Sequence, residues 1–138
     1  MPGHSGRLEF NTQGDGDVID LTAGVESVVR SSGAETGVVT VFVPGSTAAV
    51  TTMEYEPGGI HDLKDTLDQL VPRHGDYHHN RLNQDTNAHA HIRAAIVGPS
   101  ETIPLDGGRL QLGTWQQIVL VDFDDRPRRR TVLVSVLS

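Results

Sequence analysis

Between Gly37 and Gly45 the chain reads GVVTVFVPG, an apolar, β-branched run with little alternation of apolar and polar residues. Bounded by Gly37 and Pro44, it predicts a strand buried on both faces rather than one with a wet side. Ile118 to Val121 has the same character. Two strands that each need cover on both faces are demanding for a chain of 138 residues, which gives it a motive for self-association.

The remaining pattern sets these strands among helices. Arg7 to Thr12 alternates like an opening strand, preceded by a short polar terminus expected to fray. Asp20 is placed to cap a helix from Leu21 to Ser31, with Leu21, Val25, Val28 and Val29 on one side and Gly33 as its stop. A tight turn leads to a second strand near Ala48 to Glu56, which a Pro-Gly-Gly break ends. From Ile60 to Val71 the period changes to 3.6, with Leu63, Leu67 and Leu70 in the stripe and Pro72 as terminator. IPLDGGRLQLG predicts a hairpin turning at Asp106-Gly107-Gly108, and residues 114–137 a last long hairpin with Asp124 to Pro127 at its tip. Strands dominate and helices interrupt them without βαβ alternation. The expectation is one α+β domain over residues 1–138, mainly antiparallel sheets with two or three helices.

Composition narrows the chemistry. With no cysteine there is no disulfide, thiolate zinc site or thiol nucleophile, so any metal falls to His, Asp, Glu or backbone oxygen. No apolar run reaches the roughly 18 residues of a membrane span and the first residues lack a signal core, so the expected location is cytoplasmic, with no membrane partner. A net charge of −7 argues against a nucleic-acid partner. Basic charge gathers at Arg126, Arg128, Arg129 and Arg130, either as a solvated hairpin edge or with one or two arginines facing a phosphate or carboxylate.

YHHNRLNQDTNAHAHIR, residues 77–93, holds four of the seven histidines. His89 and His91 diverge by about 200° on a helix but point the same way in extended chain. They chelate together only if Asn87 to His91 is extended or forms a helix entrance, with any helix beginning near Ile92. His78 and His79 are adjacent, so one of them would join His89 and His91 in a three-histidine set able to bind a metal or an oxyanion. The alternative is that these histidines are solvated or hydrogen-bonded in the core. Glu54 interrupts an apolar strand and is either surface-facing or a ligand or general base. Thr47 follows the turn Pro44-Gly45-Ser46, where hydroxyl and backbone N–H groups can cradle an anion or simply close a turn. Trp115 and Gln116 open the last hairpin, and a single Trp favours the core.

Several of these stretches together, VFVPGSTAAVTTMEYEPG, LVPRHGDYHHN and the segment from Asn87 to Val134, resemble the YjbQ-like family, also called secondary thiamine-phosphate synthase. The ordered motifs TAA, Y-x-H-N, N-x-x-A-H, G-x-S, L-x-L-G-T-W-Q and P-R-x-R carry the likeness from about Gly37 onward. The resemblance implies a compact α+β fold, assembly as a homotrimer, and a polar pocket for a metal or an anion such as a small phosphorylated metabolite. Carried over by motif, the pocket comprises Thr47, Glu54, His79, Asn80, Asn87, His91, Trp115, Gln116 and Arg128 or Arg130. Of the adjacent histidines the motif selects His79. In this reading Glu54, His79 and His91 serve catalysis, Thr47, Asn80, Asn87, Trp115, Gln116, Arg128 and Arg130 bind the ligand, and His79, His89 and His91 hold a divalent metal, zinc or magnesium. Gly45 stands where many members carry histidine before TAA, and His89 where many carry aspartate. The implied activity is that of a transferase forming thiamine phosphate. The alternatives are metal-dependent hydrolysis and a trimeric metabolite-binding protein without turnover.

Overall fold

The two apolar runs become strands of different sheets. In the computed structural model, which describes residues 3–138, the larger sheet contains β1 (Gly3–Thr12), β3 (Gly37–Phe42), β5 (Ser100–Asp106), β6 (Arg109–Leu110) and β8 (Arg128–Leu137), ordered β1-β8-β3-β5-β6. The smaller contains β2 (Asp17–Asp20), β4 (Ala48–Met53) and β7 (Gln117–Asp122), ordered β2-β7-β4. Every pairing is antiparallel. Among the described residues there are four helices: α1 (Thr22–Ser32), α2 (Pro57–Leu70), α3 (His78–Asn83) and α4 (Ala88–Val97). The class is α+β, as expected, with α3 raising the helix count above two or three. None of these helices is long and apolar enough to cross a membrane.

The principal core lies between the sheets. Val39, Val41 and Val43 meet Val132, Val134 and Val136 from the larger sheet, Val50, Ile118 and Leu120 from the smaller, and Leu21, Val25 and Val29 of α1. A second core forms on the other side of the smaller sheet, where Ala49, Val119, Val121 and Phe123 pack against Leu67 of α2 and Ala90 and Ala94 of α4. β7 is therefore covered on both faces by its own chain. β3 is not: Val38 and Phe42 are 39% and 38% exposed on the outer face of the larger sheet.

Local signals account for most boundaries. Asp20 Oδ1 accepts from Thr22 N at 2.9 Å as α1 begins, and Gly33 ends it at φ 70°. The Pro-Gly-Gly break is a helix start: Pro57 occupies the first turn of α2, and the Glu56 carboxylate accepts from Gly58 N and Gly59 N at 2.7 and 2.8 Å. Those two bonds hold the Glu56 carboxyl below its usual range. The β5–β6 hairpin turns at Gly107-Gly108, both with positive φ, as read from Asp106-Gly107-Gly108.

Two expectations change. Residues 3–12 do not fray, because β1 pairs with β8 along its whole length from Gly3↔Leu137 to Thr12↔Arg128; Met1 and Pro2 lie outside the described residues. Residues 114–137 do not form a hairpin either. β7 and β8 belong to different sheets, so Phe123 to Pro127 is a corner that carries the chain from one layer to the other.

Candidate functional site

Three chain segments make that crossing at the same end of the molecule: residues 13–16 between β1 and β2, 43–47 between β3 and β4, and 123–127 between β7 and β8. They interlock through backbone bonds, with Asp15 N donating to Asp124 O at 2.7 Å, Gly16 N to Asp122 O at 2.8 Å and Phe123 N to Thr47 O at 2.9 Å. Gly14 sits so close that a Cβ on it would lie 2.6 Å from the carbonyl oxygens of Asp124 and Arg126. A corner of crossing strands leaves backbone and side-chain polar groups away from water, and here side chains satisfy them.

Asp122 and Asp124 are both fully buried at the centre of this corner. Asp122 accepts from Arg130 Nε and Nη2 at 2.7 and 2.9 Å, from Thr12 Oγ1 at 2.5 Å and from Asp124 N at 3.0 Å. Asp124 accepts from Arg128 Nε at 2.8 Å, Asp125 N at 2.8 Å, Thr47 Oγ1 at 3.2 Å and Asn87 Nδ2 at 3.4 Å. Thr47 also accepts from Arg130 Nη2 at 2.7 Å and so links the two carboxylates. Burial opposes ionisation of Asp124, but the bonds from Arg128, Asp125 N and Asn87 outweigh it and hold the carboxyl well below the usual range. The Asp122 bond, against the opposing effect of burial, raises the Arg130 guanidinium above its ordinary value. Two carboxylates and two guanidiniums balance in charge, and these are the short, charge-assisted bonds that fix a side chain's direction. Arg128 and Arg130 thus leave the solvated-edge reading, while Arg129, which alternates with them, stays outside and pairs with Glu9 at 2.5 Å.

The histidine segment joins this corner through asparagines. Asn87 stands at the start of α4 with Nδ2 on Asp124, and Asn80 Oδ1 accepts from Ala88 N at 3.1 Å while lying 3.0 Å from His79 Nδ1. The ring centroids of His79 and His91 are 4.7 Å apart and their planes are inclined by 46°. Both are half-buried, whereas His78 is exposed. The structure therefore brings Thr47, His79, Asn80, Asn87, His91, Arg128 and Arg130 to one end of the fold.

His89 does not join them. α4 begins at Ala88, so His89 and His91 lie on one helix and point about 200° apart. The chain adopts neither geometry that a joint chelate requires, an extended Asn87–His91 backbone or a helix entrance with the helix starting only near Ile92. No group of three or more His, Asp or Glu side chains among the described residues is arranged to hold a metal. His79 and His91 supply two imidazoles, whereas an open catalytic zinc centre takes three protein ligands. Gly45 brings no third: it faces the corner, where an added Cβ would stand 3.0 Å from Arg130 Nη1. The donor set of one chain does not fit a resident metal.

Glu54, Trp115 and Gln116 lie elsewhere. β4 pairs with β7 from Ala48↔Asp122 to Met53↔Gln117, so these three residues sit at the opposite end of a strand pair about 20 Å long. Glu54 is exposed, Trp115 is 74% exposed rather than in the core, and Gln116 braces a turn through Thr52 Oγ1 and Gly113 N, each at 3.0 Å. Thr12, Asp122 and Asp124 are the site residues that sequence reasoning overlooked. For the two aspartates the readable signal is the matched spacing of Asp122-x-Asp124 and Arg128-x-Arg130, acids and bases alternating alike on either side of a turn; Thr12 carries none.

A sequence profile described as "UPF0047 protein YjbQ-like" matches residues 6–138. A UPF0047 protein of Archaeoglobus fulgidus is 40% identical over 121 residues, which is 88% of this chain and 91% of that protein. One from Methanothermobacter thermautotrophicus is 37% identical over 136 residues, 99% and 93% of the two chains. Among solved structures, a protein of Sulfolobus solfataricus described as YbjQ-like and of unknown function aligns with a TM-score of 0.94 at 31% identity, covering 99% of this chain and 98% of its own. A hypothetical protein of Aeropyrum pernix gives 0.90 at 39% identity, covering 97% and 98%. With the same fold over nearly its whole length and a profile match from residue 6 onward, this chain belongs to the YjbQ-like UPF0047 family.

Proposed function

We propose that the end of the fold formed by the crossing segments binds a small phosphate-bearing anion, with His79, His91, Arg128 and Arg130 as donors. The observation that carries this reading is the His79–His91 ring pair at the end of the fold where buried Asp122 and Asp124 fix two guanidiniums, the two groups being linked through Asn87 on Asp124. An aspartate-held arginine keeps N–H groups to spare, and its direction is set before a ligand arrives, which is the requirement for stabilising charge at low reorganisation cost. The chemistry that suits it is transfer with a diphosphate leaving group, nominally the formation of thiamine phosphate. There the methylene carbon attached to the pyrimidine exchanges its bond to diphosphate oxygen for one to the thiazole nitrogen, and pyrophosphate departs carrying the electron pair. The imidazoles and guanidiniums would meet that developing charge.

Glu54, Trp115 and Gln116 reach such a pocket only from a neighbouring chain, and the apolar outer face of β3, with Val38, Phe42 and Leu137, offers a surface for trimeric assembly. Light scattering on the untagged protein should give a mass near three chains; a monomer at micromolar concentration removes that part of the reading. For the pocket, calorimetric titration with pyrophosphate should show binding that His91→Ala and Arg128→Ala each weaken about tenfold or more. Unchanged affinity in both variants discards the pocket. Binding without turnover above the His91→Ala control, on the pyrimidine diphosphate and thiazole phosphate, discards the transferase and leaves a binding protein.

A further inference from the structure

The opposite face of α4 carries a different feature. His89 and Arg93, four residues apart and so on one side of the helix, floor an open cleft of about 430 Å³. Its walls are Lys64 and Asp68 of α2, Arg73 and His74 of the following loop, and Asp15 of the β1–β2 turn. Three permanent cations face two carboxylates, in a chain whose net charge is −7. Both carboxylates are already engaged, Asp15 by Arg73 and Asp68 by Arg93 Nη2 at 3.0 Å. Arg93 is held further by Val71 O, which accepts from Nε and Nη2 at 3.2 and 2.8 Å. Lys64, the chain's one lysine, enters no ion pair among the described residues, and its stem lies along Gly16, a Cβ on which would be 3.7 Å from Lys64 Cδ. The excess charge of the cleft is therefore Lys64's.

The second observation is His89 itself. The residue is 98% buried (2% exposed), yet neither ring nitrogen has a hydrogen-bond partner, and of the two it is Nδ1 that is sealed from solvent. Nε2 is the nitrogen the cleft can reach. Nδ1 has no partner in either tautomer, and a buried N–H without an acceptor is rarer than a bare lone pair, so the proton belongs on Nε2. Burial, together with Arg93 and Arg73, lowers the imidazole's pKa, so the ring is a neutral donor. The tautomer with its proton on Nε2 leaves the bare lone pair at Nδ1 and presents an N–H to the cleft. A neutral N–H donor beside a spare ammonium and two anchored guanidiniums suits an oxyanion and repels a metal cation. The size falls within the range for small-molecule sites.

We infer that the cleft between α2, α4 and the β1–β2 turn is a second anion site, taking the phosphate group of a small metabolite on Lys64, Arg73 and His89. It is independent of the His79–His91 end of the fold, from which it is separated by the body of α4.

The test is a titration of isotope-labelled protein with inorganic phosphate, followed residue by residue by NMR. Resonances of the His89 ring and of the amides at residues 64, 73 and 93 should shift together along one saturable curve. Lys64→Ala, a change at an exposed residue that leaves both cores intact, should weaken that curve roughly tenfold, and Arg73→Gln should do the same. Shifts confined to His79, His91 and residues 128–130 overturn the cleft site while leaving the other standing. Shifts confined to the cleft have the reverse meaning. Cleft shifts that both variants leave unchanged also overturn the inference, because the binding would then not use the groups assigned to it.

Discussion

β7 and β3 are each bonded on both sides within their sheets, but their layers differ. Ile118 and Leu120 point into the core between the sheets, and Val119 and Val121 point under α2 and α4, so β7 is sealed front and back. β3 sends Val39 and Val41 into the same core but turns Val38 and Phe42 outward on a sheet face that no helix covers. A run of β-branched residues specifies that both faces avoid water; it does not specify whether the chain's own helices or another molecule provides the cover. β7 needs no second molecule, since its own chain covers both faces, whereas β3 still presents an apolar face to one.

Four measurements sharpen or break this contrast. The largest effect is expected where sealed β7 ends in the polar corner. Asp122→Ala should cost about 3–5 kcal/mol in urea unfolding, because it strands the Arg130 guanidinium in a dry site. Within β7, Leu120→Ala should cost about 2–5 kcal/mol by the same measurement. Acid should act more gently on the same corner. The folded pKa of Asp124 lies below its unfolded value, so its contribution is complete above the unfolded pKa, near 4, and is lost as pH falls through the folded one. Thermal unfolding should therefore show stability declining below about pH 4, with a shallower decline in Asp124→Asn. The smallest effect belongs to β3, where Val38→Ala should cost less than about 1 kcal/mol in protein diluted until light scattering shows single chains. If Val38→Ala and Leu120→Ala cost the same, the outer face of β3 is covered in solution and the contrast between the strands fails.

Much of this was legible in the residues, for reasons that also mark the boundary of legibility. α2 announced itself by its leucine stripe, and the β5–β6 turn by Asp-Gly-Gly, because each signal is local. β2 is only Asp17–Asp20, and α3 is HHNRLN, a polar turn without apolar period, so neither carries a local signal to read. The start of α4 at Ala88 depends on Asn80 accepting from Ala88 N, a contact made across a loop. His79 and Asn80 were separable from their neighbours by motif. Asp122 and Asp124 were not singled out, since a turn between paired strands and a corner between sheets have the same composition, and only the second buries its acids. Glu54, Trp115 and Gln116 come with the pocket residues in one family resemblance yet lie at the other end of β4, because neighbourhood in a set of motifs is not neighbourhood in space.

The order of the strands has a consequence for how the chain is made. β8 is what joins β1 to β3, and β7 is what joins β2 to β4. On a ribosome, β1, β2 and β4 emerge long before the strands that will bond them, and Thr12 meets the Arg128 carbonyl across a separation of 116 residues. Until then only β3, β5 and β6 have partners available. Loop closure over such distances makes the search slow, and the waiting strand edges are exposed meanwhile. Synthesis therefore delivers β7 and β8 after the strands they tie together, so neither sheet can be completed until late.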